Sequence, residues 1–492
     1  MRTIAWGSIL LIAWTTSQKI SAQNLINGTD FGPGTTDFWY GWSSDFNDQG
    51  TAYIAGAPKT YVSSETGMAR VFQETQSGWI QKGGTLQADA FGNFFGVSVS
   101  LNKDATRVVV GDFLDSETHM DAGAVTTFSW KNGAWVKTIG KLNGTSSGER
   151  LGAHVILNGD GSRLAVSSYR GTSVYDLVGN VWTQIGSTLL NGKITGAVQF
   201  SQNGNTLVLA HEFGKYSVFD FDGTSWLQRG ATFTLSSGFA ENHSANVSIS
   251  DDGMIIALGA DHEDSPTATD VGSVKVFFYF NNQWIQFANT LYGNHADQRF
   301  GHSVSLSGDG LLLAIGAEAN RPDPTDPQSP QTGAVQAFML SNNNFTPVGN
   351  TLYGLSAGPQ SLFGNDIELS KDGNRLLVSA PYHNLLAGYN QVYDYDNTLS
   401  IHAVNMDMEA IVYPNPTSEW LTIDLGNHHS AGAEASTSAY RFAKAQIINL
   451  QGQVVFESDS QFMDVSSLAT GTYLVQVRTV DGSVQTKRFV KR

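Results

Sequence analysis

Along the chain, apolar and polar residues alternate in short runs broken by Gly, Asn and Asp. In FGHSVSLSGDGLLLAIGA, residues 300 to 317, Val304 and Leu306 fall on one face of an extended segment and Ser303 and Ser305 on the other; a Gly-Asp-Gly then leads to a second apolar run. A period of two over so short a length predicts strands, and the turn between them predicts a hairpin. Aligned on that turn, the hairpin recurs from residues 40, 95, 151, 194, 244, 300 and 363, as in YGWSSDFNDQGTAYIAGAP, FGVSVSLNKDATRVVVGDF and FGNDIELSKDGNRLLVSAP. Each copy is followed by a loop of variable length, a Gly, and a third strand ending in Phe72, Phe128, Tyr175, Phe219, Phe277, Phe338 or Tyr393. A turn then leads to a fourth strand headed by Trp79, Trp135, Trp182, Trp226, Trp284 or Phe345, for which the seventh copy has only NTLSIHAV.

A four-stranded unit of this size cannot bury both faces alone, and radial stacking on its neighbours closes the array without long exposed edges. The expected fold is therefore all-β, a seven-bladed β-propeller over residues 37–405. The outer strand of the last blade is expected from 398–404, or instead from the N-terminal segment 23–36, whose NLINGTDFG is similar to the KLNGTSSGERLG before the third copy. The recurrent tryptophans are expected to pack between blades. The "FG" that opens the first strand and the "GA" or "GAP" that closes the second, as in Tyr40-Gly41 with Gly56-Ala57-Pro58, resemble the FG-GAP repeats of integrin α-chain propellers. Many blades of that family bind calcium in a loop between these strands. Here the loop has shrunk to SGDG, SDDG or SKDG, too few carboxylates for calcium's six to eight oxygens, so Asp252, Asp309 and Asp372 are read as turn residues.

Beyond the repeats, Leu421, Ile423 and Leu425, and Tyr473, Val475 and Val477, alternate again, which predicts a small Ig-like β-sandwich over 412–492 behind a linker at 406–411. This region resembles the type A C-terminal sorting domain of proteins exported by type IX secretion in Gram-negative bacteria. The resemblance lies in Tyr413-Pro414-Asn415-Pro416, in NLQGQVV, in Leu468, Gly471 and Tyr473, and in the basic end with Lys487, Arg488, Lys491 and Arg492. It implies recognition by the type IX machinery and delivery to the outer-membrane surface or the medium.

Composition narrows the remaining possibilities. Residues 1–22 carry Arg2, an apolar stretch from Ile4 to Trp14 and small residues at Ser21 and Ala22, the pattern of a secretory signal peptide; no later segment is apolar enough to span a bilayer. With no cysteine, thiol chemistry and disulfides are excluded. The net charge is −16, while residues 410–492 are balanced, so the negative charge belongs to the repeats and disfavours nucleic acid and anionic membranes as partners. Neither H-E-x-x-H, G-x-S-x-G nor a phosphate loop occurs, His428 and His429 lack a third ligand at a recognisable spacing, and no catalytic residue, metal or cofactor is assigned.

Binding of an extracellular glycan or protein is therefore the leading expectation. Two alternatives stay open: a polysaccharide hydrolase or lyase using acids such as Asp112, Asp261 or Asp264, and a structural surface component. The loops between second and third strands are long in copies one, two, five and six and short in three and four. A ligand is expected on that face, reached past Tyr169, Arg170, His211 and Phe213 and lined by Asp261 and Asp264.

Overall fold

The computed structural model describes residues 22–25, 30–31, 39–58, 67–88, 94–212, 214–235, 246–322, 329–341, 344–355, 360–383, 387–396, 411–413, 417–424, 442–449, 453–479 and 484–492. The chain divides into two compact units, one spanning Ser17–Leu399 and one that holds Ser400–Arg492. The larger unit is a seven-bladed β-propeller in which each blade is built on four antiparallel strands, in sequence order in all blades but the last. Its innermost strands are Ser43–Phe46, Phe95–Leu101, His154–Leu157, Thr195–Phe200, Val247–Ile249, Phe300–Leu306 and Ile367–Leu369, numbered here as blades 1 to 7. The outer strand of blade 7 is Ala22–Leu25, paired with Tyr389–Asp396 from Ala22↔Asp396 to Leu25↔Tyr393. The start of the chain thus covers the edge of the last blade. Residues 398–404, the other candidate for that edge, lie outside the described residues, as do 1–21 of the expected signal peptide.

Closure is visible in the main chain. Around the channel, the hairpins between first and second strands bond each to the next: Lys103 N to Gly159 O (2.9 Å), Gly159 N to Gln202 O (3.1 Å), Gln202 N to Asp251 O (3.1 Å), Asp251 N to Gly308 O (2.8 Å), Gly308 N to Lys371 O (2.8 Å) and Lys371 N to Asp48 O (2.8 Å). Asn47 Nδ2 completes the circle on Lys103 O at 3.1 Å. Each hairpin tip therefore finds its partner in the next blade rather than in solvent. Within the tips, Ser250, Ser307 and Ser370 donate to Asp252, Asp309 and Asp372 at 2.6–2.7 Å, and the same carboxylates accept from the backbone N–H two residues on. These aspartates are turn-forming groups.

At the other end of the blades the glycines of the repeat meet. A Cβ at Gly56 would stand 2.1 Å from the carbonyl oxygen of Gly96; Gly111 has the same relation to Gly152 (2.2 Å), Gly259 to Gly301 (2.0 Å) and Gly316 to Gly364 (2.2 Å). The closing "G" of one blade thus lies against the opening "G" of the next, and only backbone fits between them. Ser98 and Ser303 donate to the Gly152 and Gly364 oxygens at 2.8 Å, beside these contacts. The polar alternates of the inner strands are buried as well, because each inner strand packs between two neighbours; Ser303 and Ser305 are fully or nearly fully covered. Between blades 3 and 4 a hydroxyl chain, Ser167 to Thr172 (3.0 Å) to Thr195 (2.9 Å), takes the place of the glycine pair.

Apolar cores fill the spaces between neighbouring blades, and one joins blade 7 to blade 1 through Leu377 and Val392 against Tyr40 and Tyr53. Each fully buried Val, Leu or Phe there contributes roughly 1.5–3 kcal/mol. The recurrent tryptophans sit at the outer ends of these cores, and three of them reach the preceding blade through the indole N–H: Trp135 to Lys82 O (2.7 Å), Trp182 to Thr127 Oγ1 (2.9 Å), Trp284 to Arg229 O (2.8 Å).

The smaller unit packs Leu421, Ile423, Ile447, Val475, Val477 and Phe489 between a three-stranded and a four-stranded sheet.

If the glycine contacts set the spacing of the blades, Gly259→Ala is expected to destabilise the propeller by about 1–3 kcal/mol or more, because neither backbone segment has room to yield. Gly84→Ala, where no atom lies within 4 Å, is the control and is expected to stay within about 0.5 kcal/mol of wild type. Thermal unfolding followed by circular dichroism compares the two.

Candidate functional site

The face opposite the hairpin ring carries the loops between second and third strands. The chain reaches several inner strands through a left-handed residue two positions before the opening glycine of the repeat: Trp39 (φ 46°), Arg150 (56°), Arg299 (56°) and Leu362 (54°). Bulky residues rarely hold this conformation, and here the glycine seam that follows imposes it. The same position therefore supplies different chemistry around the channel mouth.

On blades 7, 1, 2 and 3 that chemistry is aromatic. Trp39 stacks on Trp42 at 4.9 Å with planes 25° apart, and Tyr382 lies 5.6 Å from Trp39 and 6.4 Å from Trp42. The contacts continue from Trp39 to Phe94 (6.4 Å) and from Phe94 to Phe113 (5.2 Å). The Arg150 guanidinium then lies 5.6 Å from the Phe113 ring and 4.6 Å from that of Tyr169, whose hydroxyl bonds Arg150 Nη1 at 3.0 Å. Trp39, Trp42, Tyr382 and Tyr169 remain partly exposed, while Phe94 and Phe113 are buried. Arg170, beside Tyr169, is exposed and reaches Ser147 O at 3.3 Å.

Trp42 also lines the channel, with His154, Gln199, Asp45, Asp366 and Glu368. Asp366 accepts from Ser44 N at 2.6 Å and Ser44 Oγ at 3.2 Å. Asp45 accepts from Leu101 N and Ser100 Oγ, both at 2.7 Å. Glu368 accepts from Ser305 Oγ at 2.9 Å and, across the channel, from Gln199 Nε2 at 3.3 Å. Burial pushes the Asp366 carboxyl up to about 7, with the Asp45 charge adding to it. Burial likewise raises Glu368, further raised by Asp45 and Asp366, and raises Asp45 against the pull of its hydrogen bonds. Below this level the bond from Gln202 Nε2 to Asp48 Oδ2 (2.5 Å) crosses from blade 4 to blade 1 within the hairpin ring.

Blades 5 and 6 carry an ionic cluster instead. His302 Nδ1 lies 3.3 Å from Asp261 Oδ2 and its Nε2 3.4 Å from Glu318 Oε2, while Arg299 pairs with Glu318 at 2.7 Å. Burial opposes charge on both partners. For His302 the carboxylates of Glu318 and Asp261 more than offset it and hold the imidazole above its ordinary value; for Asp261 the bond and charge of His302 bring the carboxyl below its own. Asp264 is exposed and accepts from Asp270 N at 2.9 Å.

The loop-face residues expected from sequence thus fall in separate places. Tyr169 and Arg170 stand at the end of the aromatic arc, and Asp261 belongs to the ionic cluster. His211 is buried in blade 4, bonded through Nε2 to Ser217 Oγ at 3.0 Å and held below its ordinary pKa by burial. Phe213 lies outside the described residues. Sequence reasoning missed Asp45, Asp366, Glu368, His302, Trp39, Trp42 and Tyr382. A partial signal existed for the carboxyls, since Asp45 and Glu368 stand where three other copies carry Ser100, Ser248 and Ser305, and Asp366 where three carry Ser43, Ser98 and Ser303; nothing local shows that they meet. Among the described residues, no group of three or more His, Cys, Asp or Glu is arranged to hold a metal ion, and no helix is long and apolar enough to cross a membrane.

In the smaller unit, Tyr473 donates to Ala469 O at 2.8 Å and stacks on Phe489 at 5.7 Å, Leu468 packs on the core, and Gly471 opens the strand Gly471–Thr479. That strand pairs with Val484–Lys491, placing Arg488 opposite Leu474, Lys487 opposite Val475 and Lys491 opposite Gly471. Arg492 N then bonds Thr417 O at 2.8 Å, tying the last residue to the segment just after Pro416. Pro414, Asn415 and Pro416 themselves lie outside the described residues.

Residues 411–492 match the family model described as the secretion system C-terminal sorting domain. The match indicates export, ending in secretion or attachment to the cell surface. No curated protein matches the chain. Among solved structures the chain is similar to the β-propeller domain of Cps50 (Swd1) from Myceliophteria thermophila, with 11% identity and a TM-score of 0.49 over 76% of this chain and 99% of that one. The propeller architecture rests on the sheet topology of this chain itself.

The channel carboxyls give a pH dependence of defined sign. Between the ordinary carboxylate value near 4 and about 7, folded Asp366 holds its proton when the unfolded chain has lost it. The associated stability is fully present below about pH 4 and is lost as pH rises through about 7, at about 1.4 kcal/mol per pH unit between the two values. Asp366→Asn is expected to shrink the fall in melting temperature from pH 5 to pH 8; an unchanged fall in the variant contradicts the assignment.

Proposed function

We propose that the protein is a non-catalytic binding or adhesion propeller that type IX secretion places on the outer-membrane surface of a Gram-negative bacterium or releases from it. The observation that carries the binding reading is the meeting of partly exposed rings, Trp39, Trp42 and Tyr382, with the polar wall of the channel at His154 and Asp366. Apolar surface with a few convergent polar groups, held on a rigid scaffold, is the usual form of a ligand site. The glycine contacts between blades support reading the repeats as FG-GAP-like. On this reading residues 1–22 are a signal peptide, and 412–492 serve export without touching the ligand.

A polysaccharide hydrolase or lyase is the second reading, and one observation favours it. Asp366, raised to about 7 and lining the channel with Trp42, has the protonation of a general acid near neutral pH, whereas Asp261 is held ionised by His302.

In a type IX competent host, removal of the terminal Lys487–Arg492 is expected to abolish delivery to the surface and medium, measured by fractionation; undiminished delivery contradicts the sorting role. The full-length protein on glycan and protein arrays is expected to retain a ligand, with binding weakened about tenfold or more by Tyr169→Ala. Asp309→Ala and Asp372→Ala, in the opposite hairpins, are expected to leave it unchanged. Equal loss in both sets, with folding intact, contradicts the loop-face site. Release of product from a polysaccharide, abolished by Asp366→Asn, replaces the binding reading by the second.

A further inference from the structure

We infer that His302 is a proton-dependent clasp: as an imidazolium it ties the loop 261–270 of blade 5 to Glu318 of blade 6, and loss of its proton releases that loop.

The geometry assigns the charge. His302 Nδ1 lies 3.3 Å from Asp261 Oδ2 and its Nε2 lies 3.4 Å from Glu318 Oε2, and all three side chains are buried. A neutral imidazole has one N–H and one lone pair, so either tautomer would set a lone pair against a carboxylate oxygen where water is excluded. The imidazolium donates toward both. Arg299 holds Glu318 at 2.7 Å, so two cations balance two carboxylates. Without the His302 proton, Arg299 faces two buried carboxylates, and Asp261, with the His262 ring standing off at 3.9 Å, loses its charged bond. A buried charge left uncompensated is strongly unfavourable, and turning Asp261 out to water relieves it.

The repeat shows that this seam does not require charge. Asp261 stands two residues after the seam glycine Gly259, and His302 directly after Gly301. Phe113 and Ala153 stand in the same relation to Gly111 and Gly152, and between blades 2 and 3 they pack in one apolar cluster. A buried ion pair rarely holds a seam better than apolar side chains of similar size; what it adds is a response to pH. Within the loop, Glu263 accepts from Lys275 Nζ at 2.6 Å and Asp264 from Asp270 N at 2.9 Å, both inside blade 5. Release of Asp261 therefore leaves the loop hinged at Val271, whose carbonyl accepts from Phe300 N at 3.2 Å, with its own bonds open to water.

The surrounding charges fix the direction of the response. From blade 5, Asp261 faces His302, the His262 Nδ1 lies 3.6 Å from Asp270 Oδ1, and Lys275 is paired with Glu263. Behind Asp261, the Tyr216 hydroxyl of blade 4 bonds Gly259 O at 2.5 Å, and burial keeps it neutral. From blade 6, Glu318 and Arg299 face the ring, and His295 Nε2 meets Asn320 Oδ1 at 2.8 Å. Burial disfavours the imidazolium, but the carboxylates of Glu318 and Asp261 outweigh it and the opposing Arg299 charge, so His302 titrates above its ordinary value near 6.5. The clasp is fully closed below about pH 6.5 and is released as pH rises through the folded value. Asp261, held below its ordinary range, sets the acid limit: its share is present above about pH 4 and is lost as pH falls through its own folded value.

The test is hydrogen exchange of the full-length protein at about pH 6 and about pH 9, read as protection factors for residues 261–272 relative to the strand Arg107–Asp112 of blade 2. Relative protection is expected to fall about fivefold or more in the wild type. In His302→Gln it is expected to be low at both pH values, while His262→Gln and His295→Gln behave as wild type. No fall in the wild type, or an equal fall in His302→Gln, overturns the inference. Low protection in His302→Gln beside a wild type indifferent to pH marks a merely structural contact and overturns it as well. If His302→Gln does not fold, the ring nitrogen shifts of labelled wild-type protein decide: two N–H groups on His302 at about pH 6.5 support the clasp, and a neutral ring there overturns it.

Discussion

Where several neighbouring blades meet, backbone rests on backbone. The contacts of Gly56 with Gly96, Gly111 with Gly152, Gly259 with Gly301 and Gly316 with Gly364 leave no room for a Cβ, so they bring the inner strands to a fixed, short separation. Much of the rest depends on that separation. It draws the hairpin tips close enough to bond in a circle, and it makes the channel narrow enough for Gln199 of blade 4 to reach Glu368 of blade 7. Three carboxyl groups in so narrow a channel lose water, and their raised pKa values follow from that loss first and from their mutual repulsion second.

The seam also shapes the loop face. The turn leading into the glycine puts Trp39, Arg150, Arg299 and Leu362 into the left-handed region, and two of these, Trp39 and Arg150, are members of the aromatic arc while Arg299 anchors Glu318. A strained residue at a mouth is maintained only if the surrounding contacts over-determine it, which the adjoining glycine contacts do. The face is consequently pre-organised, a condition that lowers the ordering cost of binding. Where the glycine pair gives way to hydroxyls, between blades 3 and 4, the loops are also the shortest, and Tyr169 and Arg170 stand at that side.

How much of this was legible in the sequence depended on whether the signal was local. The strands, the turn role of Asp309 and the packing role of Trp135 and Trp284 could be read because each repeats at a fixed offset within one blade. The C-terminal domain was legible because its motif residues lie within one short segment. The channel carboxyls were not, since Asp45 comes from the first blade and Asp366 and Glu368 from the last, and only ring closure unites them. His302, Asp261 and Glu318 likewise meet across two blades. The outer strand of blade 7 was left open between two segments because both carry strand-like sequence, and the pairing of Ala22–Leu25 with Tyr389–Asp396 is a contact between distant parts of the chain.

The central claim is that the blades form one closed ring held at the hairpin tips, and amide hydrogen exchange tests it directly. Turn amides on a surface exchange quickly, whereas those whose bonds break only when the ring opens exchange with the free energy of global unfolding. The amides of Lys103, Gly159, Gln202, Asp251, Gly308 and Lys371 should therefore be as protected as that of Leu313 in a buried strand. Exchange of these six as fast as that of Gly133 or Gly179, in the outer turns, would contradict the closed ring and the pre-organised face that depends on it.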